Sequence, residues 1–256
     1  MNKSKLKRVM LRTILLGLLL LFAASICQTG WIVRAQAPAT DTASLLEGFR
    51  HVEVASVSDA LEQITGRRMF MSHRMQAIFP TRFAGLALTV RLKKDEGNKD
   101  PAALNGMVAA IDKGSPDSVW VMVVEDGIDI AGMGGLMGTT MAARGFAGAV
   151  IDGGVRDVAH LRKIGFPVYA LGIVPSTSVH HYRFDAANIP LVCDGVEVQP
   201  GDIVTADNDG VVVVPRARAA EVLARSREMD FQEHSMYPYI EKFKSLQEAI
   251  KQFGRL

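Results

Sequence analysis

One stretch constrains this chain more than any other. It runs Gly132-Met133-Gly134-Gly135-Leu136-Met137-Gly138, continues from Gly145 through Val150, and ends Ile151-Asp152-Gly153-Gly154-Val155-Arg156-Asp157. The glycine cluster reads as a loop, Met137, Met141 and Ala142 recur at helical spacing, and the apolar run into Ile151 reads as a strand ending on polar residues. Loop, helix, strand and polar turn in that order point to an α/β fold. Glycines let backbone N–H groups approach a ligand closely, and a helix beginning in the loop adds the positive end of its dipole, so the loop favours an anion. Arg156 can grip a carboxylate with two parallel hydrogen bonds, and Asp157 beside it can hold a hard cation. Spacing alone also fits a surface ion pair next to an ordinary Gly-rich turn.

Residues 1–39 read as an export segment rather than as part of the fold. Lys3, Lys5, Lys7, Arg8 and Arg12 precede an apolar run from Ile14 to Ile26, and small residues follow at Ala35, Ala37 and Ala39. That is the pattern of a secretory signal peptide, here cleaved after Ala39. An uncleaved anchor is the alternative, because the apolar stretch reads on to Val33 and reaches roughly the twenty residues a membrane span needs. Either way the body, residues 40–256 as a single domain, is expected in the periplasm or outside the cell, touching membrane only through this segment.

Setting that segment aside changes the electrostatics. It holds six of the 29 Lys and Arg and none of the 27 Asp and Glu, so the body carries 23 against 27, a net of −4. No basic stripe supports nucleic-acid binding. Cys193 is the one cysteine of the body, which excludes an internal disulfide there and reads as a small buried hydrophobe. About 217 residues suffice for one full core.

In chain order, Thr40 to Phe49 and Ser58 to Ile64 read as helices, the second capped by Ser58-Asp59. Met69 to Thr81 is expected to be irregular, with Met and Phe side chains over the core. Ala84 to Leu92 and Ser118 to Val124 read as strands, separated by a helix that begins at Pro101 and runs to Lys113. A helix through Leu161 and Ile164 and a strand from Val168 to Leu171 follow the Arg-Asp pair. Past Pro175 come short strands with turns at Asp194-Gly195 and Pro200-Gly201, then a helical tail from Arg216. Asp152, Asp207 and Asp209 sit beside glycines and read as turn formers. His180-His181 reads as a strand pair on the surface or at a subunit contact, facing opposite ways. Arg144 is placed to steady its own helix's C-terminal dipole.

Several ordered motifs together resemble one family. They are Gly145-x-x-Gly148-x-Val150-x-Asp152-Gly153-x-x-Arg156-Asp157, Phe166-Pro167-Val168-Tyr169-Ala170, Gly195-Val196-x-Val198-x-Pro200-Gly201-Asp202, and Asp207-x-Asp209-Gly210 running on to Pro215. Over about Ser58 to Glu233 the chain is similar to the regulator of ribonuclease activity A family, which also contains the 4-hydroxy-4-methyl-2-oxoglutarate (4-carboxy-4-hydroxy-2-oxoadipate) aldolases. The resemblance implies an α/β/β/α sandwich with a swivelling β/β/α-type domain and a helical C-terminal tail, assembled as a homotrimer or hexamer. It also implies a class II, metal-dependent lyase with Mg or Mn as cofactor, acting on a small-molecule 2-oxo acid by retro-aldol cleavage or oxaloacetate decarboxylation through one pyruvate enolate.

By the same resemblance, Arg156 binds the pyruvyl portion, Asp157 holds the metal, and the amides of Gly134, Gly135, Leu136 and Met137 receive the carboxylate. Two positions depart. The Asp that aldolases carry ahead of the Arg-Asp pair, with twenty residues between, is Gly135 here, and the acid three residues after that pair's Asp is His160. His160 reads either as a replacement proton donor or metal neighbour, or as an exposed helical histidine. Glu233 falls where aldolases place an acid that reaches a metal–water network. Gly135 also matches the ribonuclease-regulator members, so a non-catalytic binding or regulatory trimer on this scaffold is the alternative.

Overall fold

The computed structural model describes residues 41–254, and the expectation of an export segment falls outside the described residues. Among them, no helix is long and apolar enough to cross a membrane. The chain opens with helices α1 (Thr42–His51) and α2 (Val54–Thr65), followed by strands β1 (Gln76–Ala77) and β2 (Phe83–Lys94). Then come α3 (Asn105–Lys113), β3 (Ser118–Val124), β4 (Ala131–Met133), α4 (Gly135–Ala143), β5 (Gly148–Val155), α5 (Val158–Lys163) and β6 (Val168–Ile173). The second half runs β7 (Tyr182–Ala187), β8 (Leu191–Cys193), β9 (Val196–Val198), β10 (Ile203–Asp207), β11 (Gly210–Val214), α6 (Ala219–Phe243) and α7 (Leu246–Phe253).

Strands β2, β3, β5 and β6 lie side by side and parallel, with β4 adding to the end of β5. Strands β10 and β11 continue the sheet antiparallel beyond β2. The sheet curls until it nearly closes. Tyr169 on β6 stands four strands from β10 in the sheet order, yet its hydroxyl donates to the Asp207 carbonyl and its ring meets Phe83 edge-on at 5.8 Å. The segment before β2 completes the circuit: Phe70 bridges to Val212 on β11, and six residues later Gln76 pairs with Ala170 on β6. A curl flattened in this way gives two β layers, with α1, α2 and α6 outside one and α3, α4 and α5 outside the other, in agreement with the α/β/β/α expectation.

The alternation of a pleated strand divides the core. On β3, Val119 and Val121 point into the cluster inside the curl, while Trp120, Met122 and Val124 pack outward against Met107, Ile111, Met141 and Leu161. Strand β3 is apolar on both faces because both are covered.

Helix starts are where tertiary contacts overrule local signals. Helix α2 begins at Val54, four residues before Ser58, so Ser58 and Asp59 lie inside it. Its first N–H, that of Val54, donates to Asp207 Oδ2 at 3.0 Å, a cap supplied from β10. Helix α3 begins at Asn105, with turns over residues 101–104 where Pro101 was expected to start it. His180 and His181 lie in the turn before β7 rather than on a strand, with His180 in the left-handed region at φ 67. The Arg144 guanidinium reaches the carbonyl of Gly114 at the end of α3, so it serves the neighbouring helix's C-terminus. Met69 to Thr81 is largely irregular as expected, with Met69, Met71 and Met75 buried and Phe70 exposed.

Asp207 accepts from Val54 N–H, from the Asp209 N–H at 3.0 Å and from Arg82 at 3.3 Å. Asp207→Ala is therefore expected to lower stability by about 2 kcal/mol, by losing a cap and leaving donors unpaired. Ser58→Ala should stay within about 0.5 kcal/mol of the parent. Urea midpoints of the two variants check the contrast.

Candidate functional site

The C-terminal end of β5 and the N-terminus of α4 meet in a cleft of about 200 Å³ whose lining includes Gly134, Gly135, Leu136, Met137, Arg156 and Asp157. A larger recess of about 650 Å³ lies beside Phe70 and Tyr169, so chemistry rather than volume singles out the cleft. The sequence predicted these six residues as one site, and the fold brings them together.

Each is fixed by backbone contacts. The Arg156 N–H donates to the Met133 carbonyl at 3.0 Å, extending the β4–β5 pairing to the start of the polar turn. Asp157 adopts a left-handed conformation at φ 58, tolerable for an aspartate. From there its side chain does not cap its own helix α5; instead Oδ2 accepts the Gly135 N–H at 2.8 Å. One donor of the α4 N-terminus is thereby used, while Leu136 and Met137, next in the first turn, keep N–H groups that the helix itself cannot satisfy. Those two amides, with the dipole behind them, remain for an anion.

The guanidinium of Arg156 is steadied on one edge. Nη1 donates to the Ser176 carbonyl at 3.1 Å, and Nε stands 3.9 Å from Asp157 Oδ2. Ser176 in turn accepts from Ala131 N–H and donates to the Asp129 carbonyl, which ties its loop to β4. Nothing in the sequence marks Ser176, since its partners lie twenty and more residues away. Thr139 was missed as well: its hydroxyl donates to the Gly135 carbonyl and lies 2.8 Å from His160 Nε2. Its place one turn after Gly135 is the only local signal.

Two glycines stand close against the charged side chains. A Cβ at Gly134 would lie 2.7 Å from Asp157 Oδ2 and 3.1 Å from Arg156 Nε. At Gly135 it would meet His160 Cδ2 at 3.2 Å and Asp157 Oδ2 at 3.3 Å. His160 thus stands directly against the position where the aldolases carry their acid.

As a metal ligand the cleft offers Asp157, half-exposed, with Oδ1 hydrogen-bonded to no described residue. One carboxylate suits a small hard cation that keeps several waters and shares oxygens with a ligand. Glu233 is not among the cleft residues of this protomer; on α6 it accepts the Tyr237 hydroxyl at 2.9 Å. A separate group, Glu53, Asp230 and His234, brings donor atoms within 4.8 Å of one another and shares no residue with the cleft.

The other acids have structural work. Asp152 Oδ2 accepts the Asp194 N–H at 2.7 Å, joining β5 to the β8–β9 turn, and burial raises its pKa above the ordinary range. That is a tertiary contact rather than the turn expected for it. Burial likewise pushes the Cys193 thiol up, leaving it a buried apolar group, as expected.

A family profile described as RraA-like, Aldolase/RraA, matches residues 54–213. Protein DlpA of Legionella pneumophila is 28% identical over 82% of this chain, which spans 34% of DlpA's length. The 4-hydroxy-4-methyl-2-oxoglutarate aldolase of Thermus thermophilus is 31% identical over 52% of this chain and 76% of its own. Among solved structures, Streptomyces coelicolor RraAS2, described as an unusual member of the RNase ES inhibitor RraA protein family, superposes with a TM-score of 0.68 at 25% identity, covering 77% of this chain and 98% of its own.

Gly134→Ala is expected to displace Arg156 and Asp157 and weaken binding of pyruvate by about tenfold or more, since ångström shifts at such sites are that costly. Calorimetric titration alongside far-UV circular dichroism, which should not change, checks it.

Proposed function

The chain belongs to the aldolase/RraA family of RraA-like proteins, and on that footing we propose that it is a divalent-metal-dependent carbon–carbon lyase acting on small 2-oxo acids. The observation that carries this reading is the meeting of the α4 N-terminus, Arg156 and Asp157 in one cleft. The Leu136 and Met137 amides hold the substrate's carboxylate. Arg156, braced by Ser176, turns its free donors toward the keto oxygen on which negative charge collects. Asp157, positioned by the Gly135 N–H, holds Mg or Mn. When bound, that ion supplies Lewis acidity toward the 2-oxo acid's oxygens. His160, its ring set by Thr139, is the titratable group poised beside Gly135 to hold a proton. The same charge development serves retro-aldol cleavage of 4-hydroxy-4-methyl-2-oxoglutarate and decarboxylation of oxaloacetate.

We further place the protein outside the cytoplasm, from the pattern of residues 1–39, and as a homotrimer or hexamer. Leu136, Ile173 and Phe231 are exposed on the protomer, as an assembling surface would leave them. A non-catalytic binding or regulatory trimer is the second reading, favoured by Gly135 in place of the aldolases' acid. Export would separate it from a cytoplasmic ribonuclease.

Pyruvate release from oxaloacetate and from 4-hydroxy-4-methyl-2-oxoglutarate, with Mg or Mn, tests the lyase. Chelator should abolish turnover, and Asp157→Ala should reduce it about a hundredfold or more. A folded protein with no turnover above free metal would move the weight to the second reading.

A further inference from the structure

We infer that Thr139 and His160 form a second tie between α4 and α5 that keeps the Asp157 carboxylate aimed, with the His160 ring held as its Nε2–H tautomer. The tie stands on hydrogen bonds within one chain; its effect on metal binding rests on the lyase reading, which places the ion on Asp157. The first tie is the Gly135 N–H donating to Asp157 Oδ2 at 2.8 Å. One turn further along both helices, Thr139 Oγ1 lies 2.8 Å from His160 Nε2. Gly135 and Thr139 are four residues apart on α4, and Asp157, at the cap of α5, is three residues before His160. Those spacings put each pair on one helix face. Two contacts a turn apart restrain how Asp157 turns relative to α4 more than one contact does.

Donor counting sets the tautomer. The Thr139 hydroxyl has one proton, and its 2.8 Å contact with the Gly135 carbonyl takes it, because a carbonyl oxygen can only accept. Toward His160 the same hydroxyl oxygen is then an acceptor, so the proton of that bond belongs to Nε2. The donors run from His160 Nε2–H to Thr139 Oγ1–H to the Gly135 carbonyl, and the Gly135 N–H passes the connection to Asp157. Nε2 therefore offers no lone pair to a metal and no base to the cleft. The proton His160 holds there is engaged, and Nδ1 is the nitrogen through which the ring exchanges one. His160 and Thr139 are positioning residues, acting through Gly135 and Asp157.

Both departures from the aldolase pattern meet at this contact. A Cβ at Gly135 would lie 3.2 Å from His160 Cδ2, so the ring rests against the glycine itself. An ionised acid at position 160 would bring no proton for Thr139 and would add a second negative charge close to Asp157. The Nε2–H of an imidazole is present whether or not Nδ1 carries a proton, and it supplies the tie without that charge.

Two measurements test the tie. In protein carrying isotope-labelled histidine, His160→Gln assigns the ring nitrogens of His160 by their loss. With the ring neutral, magnetic resonance should show Nε2 protonated and Nδ1 bare, and Thr139→Val should average the two forms. Mn titrated alone, followed by electron paramagnetic resonance, should bind Thr139→Val and His160→Phe about tenfold more weakly than the parent, the scale on which partners of metal ligands act. Thr139→Ser and His160→Gln keep the hydroxyl and the donor and should stay within about twofold. The double variant of Thr139→Val with His160→Phe should lose no more than either single one, since both remove one contact. A proton on Nδ1 of the parent, wholly or in exchange, overturns the inference. So do losses that add in the double variant, or unchanged Mn affinity in both single variants when Asp157→Ala weakens it. Mn that does not distinguish the parent from Asp157→Ala sinks the metal placement of the lyase reading, and the nitrogen signals then decide the tie.

Discussion

Strand β5 hydrogen-bonds in parallel to three others: β3 along Gly148–Asp152, β6 along its length and β4 at its end. Between its two covered faces, the only stable residues for its middle are small or apolar, and Ala149, Val150 and Ile151 are fully buried. A strand held so firmly can deliver Arg156 and Asp157 to a fixed place, where side chains on a free loop would wander. Helix α4 meets that strand end with Gly134 and Gly135 at its N-terminus, where a Cβ would crowd the Asp157, Arg156 and His160 side chains.

The cleft is a division of labour between backbone and side chain. Asp157 consumes the Gly135 N–H, which binds strand to helix and orients the carboxylate, and the next two amides are left for a ligand. The two charged groups and the helix N-terminus are thereby coupled: moving Asp157 would release the Gly135 N–H, and crowding Gly134 would push against both Asp157 and Arg156. The bracing of Arg156 by Ser176 extends the coupling to the loop after β6, whose continuation supplies Thr177, Ser178 and Val179 to the same cleft.

Where aldolases carry an acid, this chain has Gly135 with His160 and Thr139 packed behind it. The substitution removes a charge and leaves a titratable ring in contact with the vacated position.

The sequence by itself determined the periodic elements and which six residues would meet in one cleft. Strand β3 runs from Ser118 to Val124 as its apolar run implied, and Gly134 to Met137 with Arg156-Asp157 were legible as a unit, because both signals are local. The start of α2 was misread because its cap, Asp207, lies more than 150 residues away, while Ser58-Asp59 offered a local imitation. The roles of Asp152 and Arg144 were hidden for the same reason. Tertiary structure alone decided the closure of the sheet through Tyr169 and the residue 70–77 segment, the bracing of Arg156 by Ser176, and which residues of α3 and of the loop after β6 line the cleft. Pattern and propensity report what a residue does with neighbours one turn or one pleat away. Which distant side chain fills a cleft or satisfies an end is settled only when the core packs.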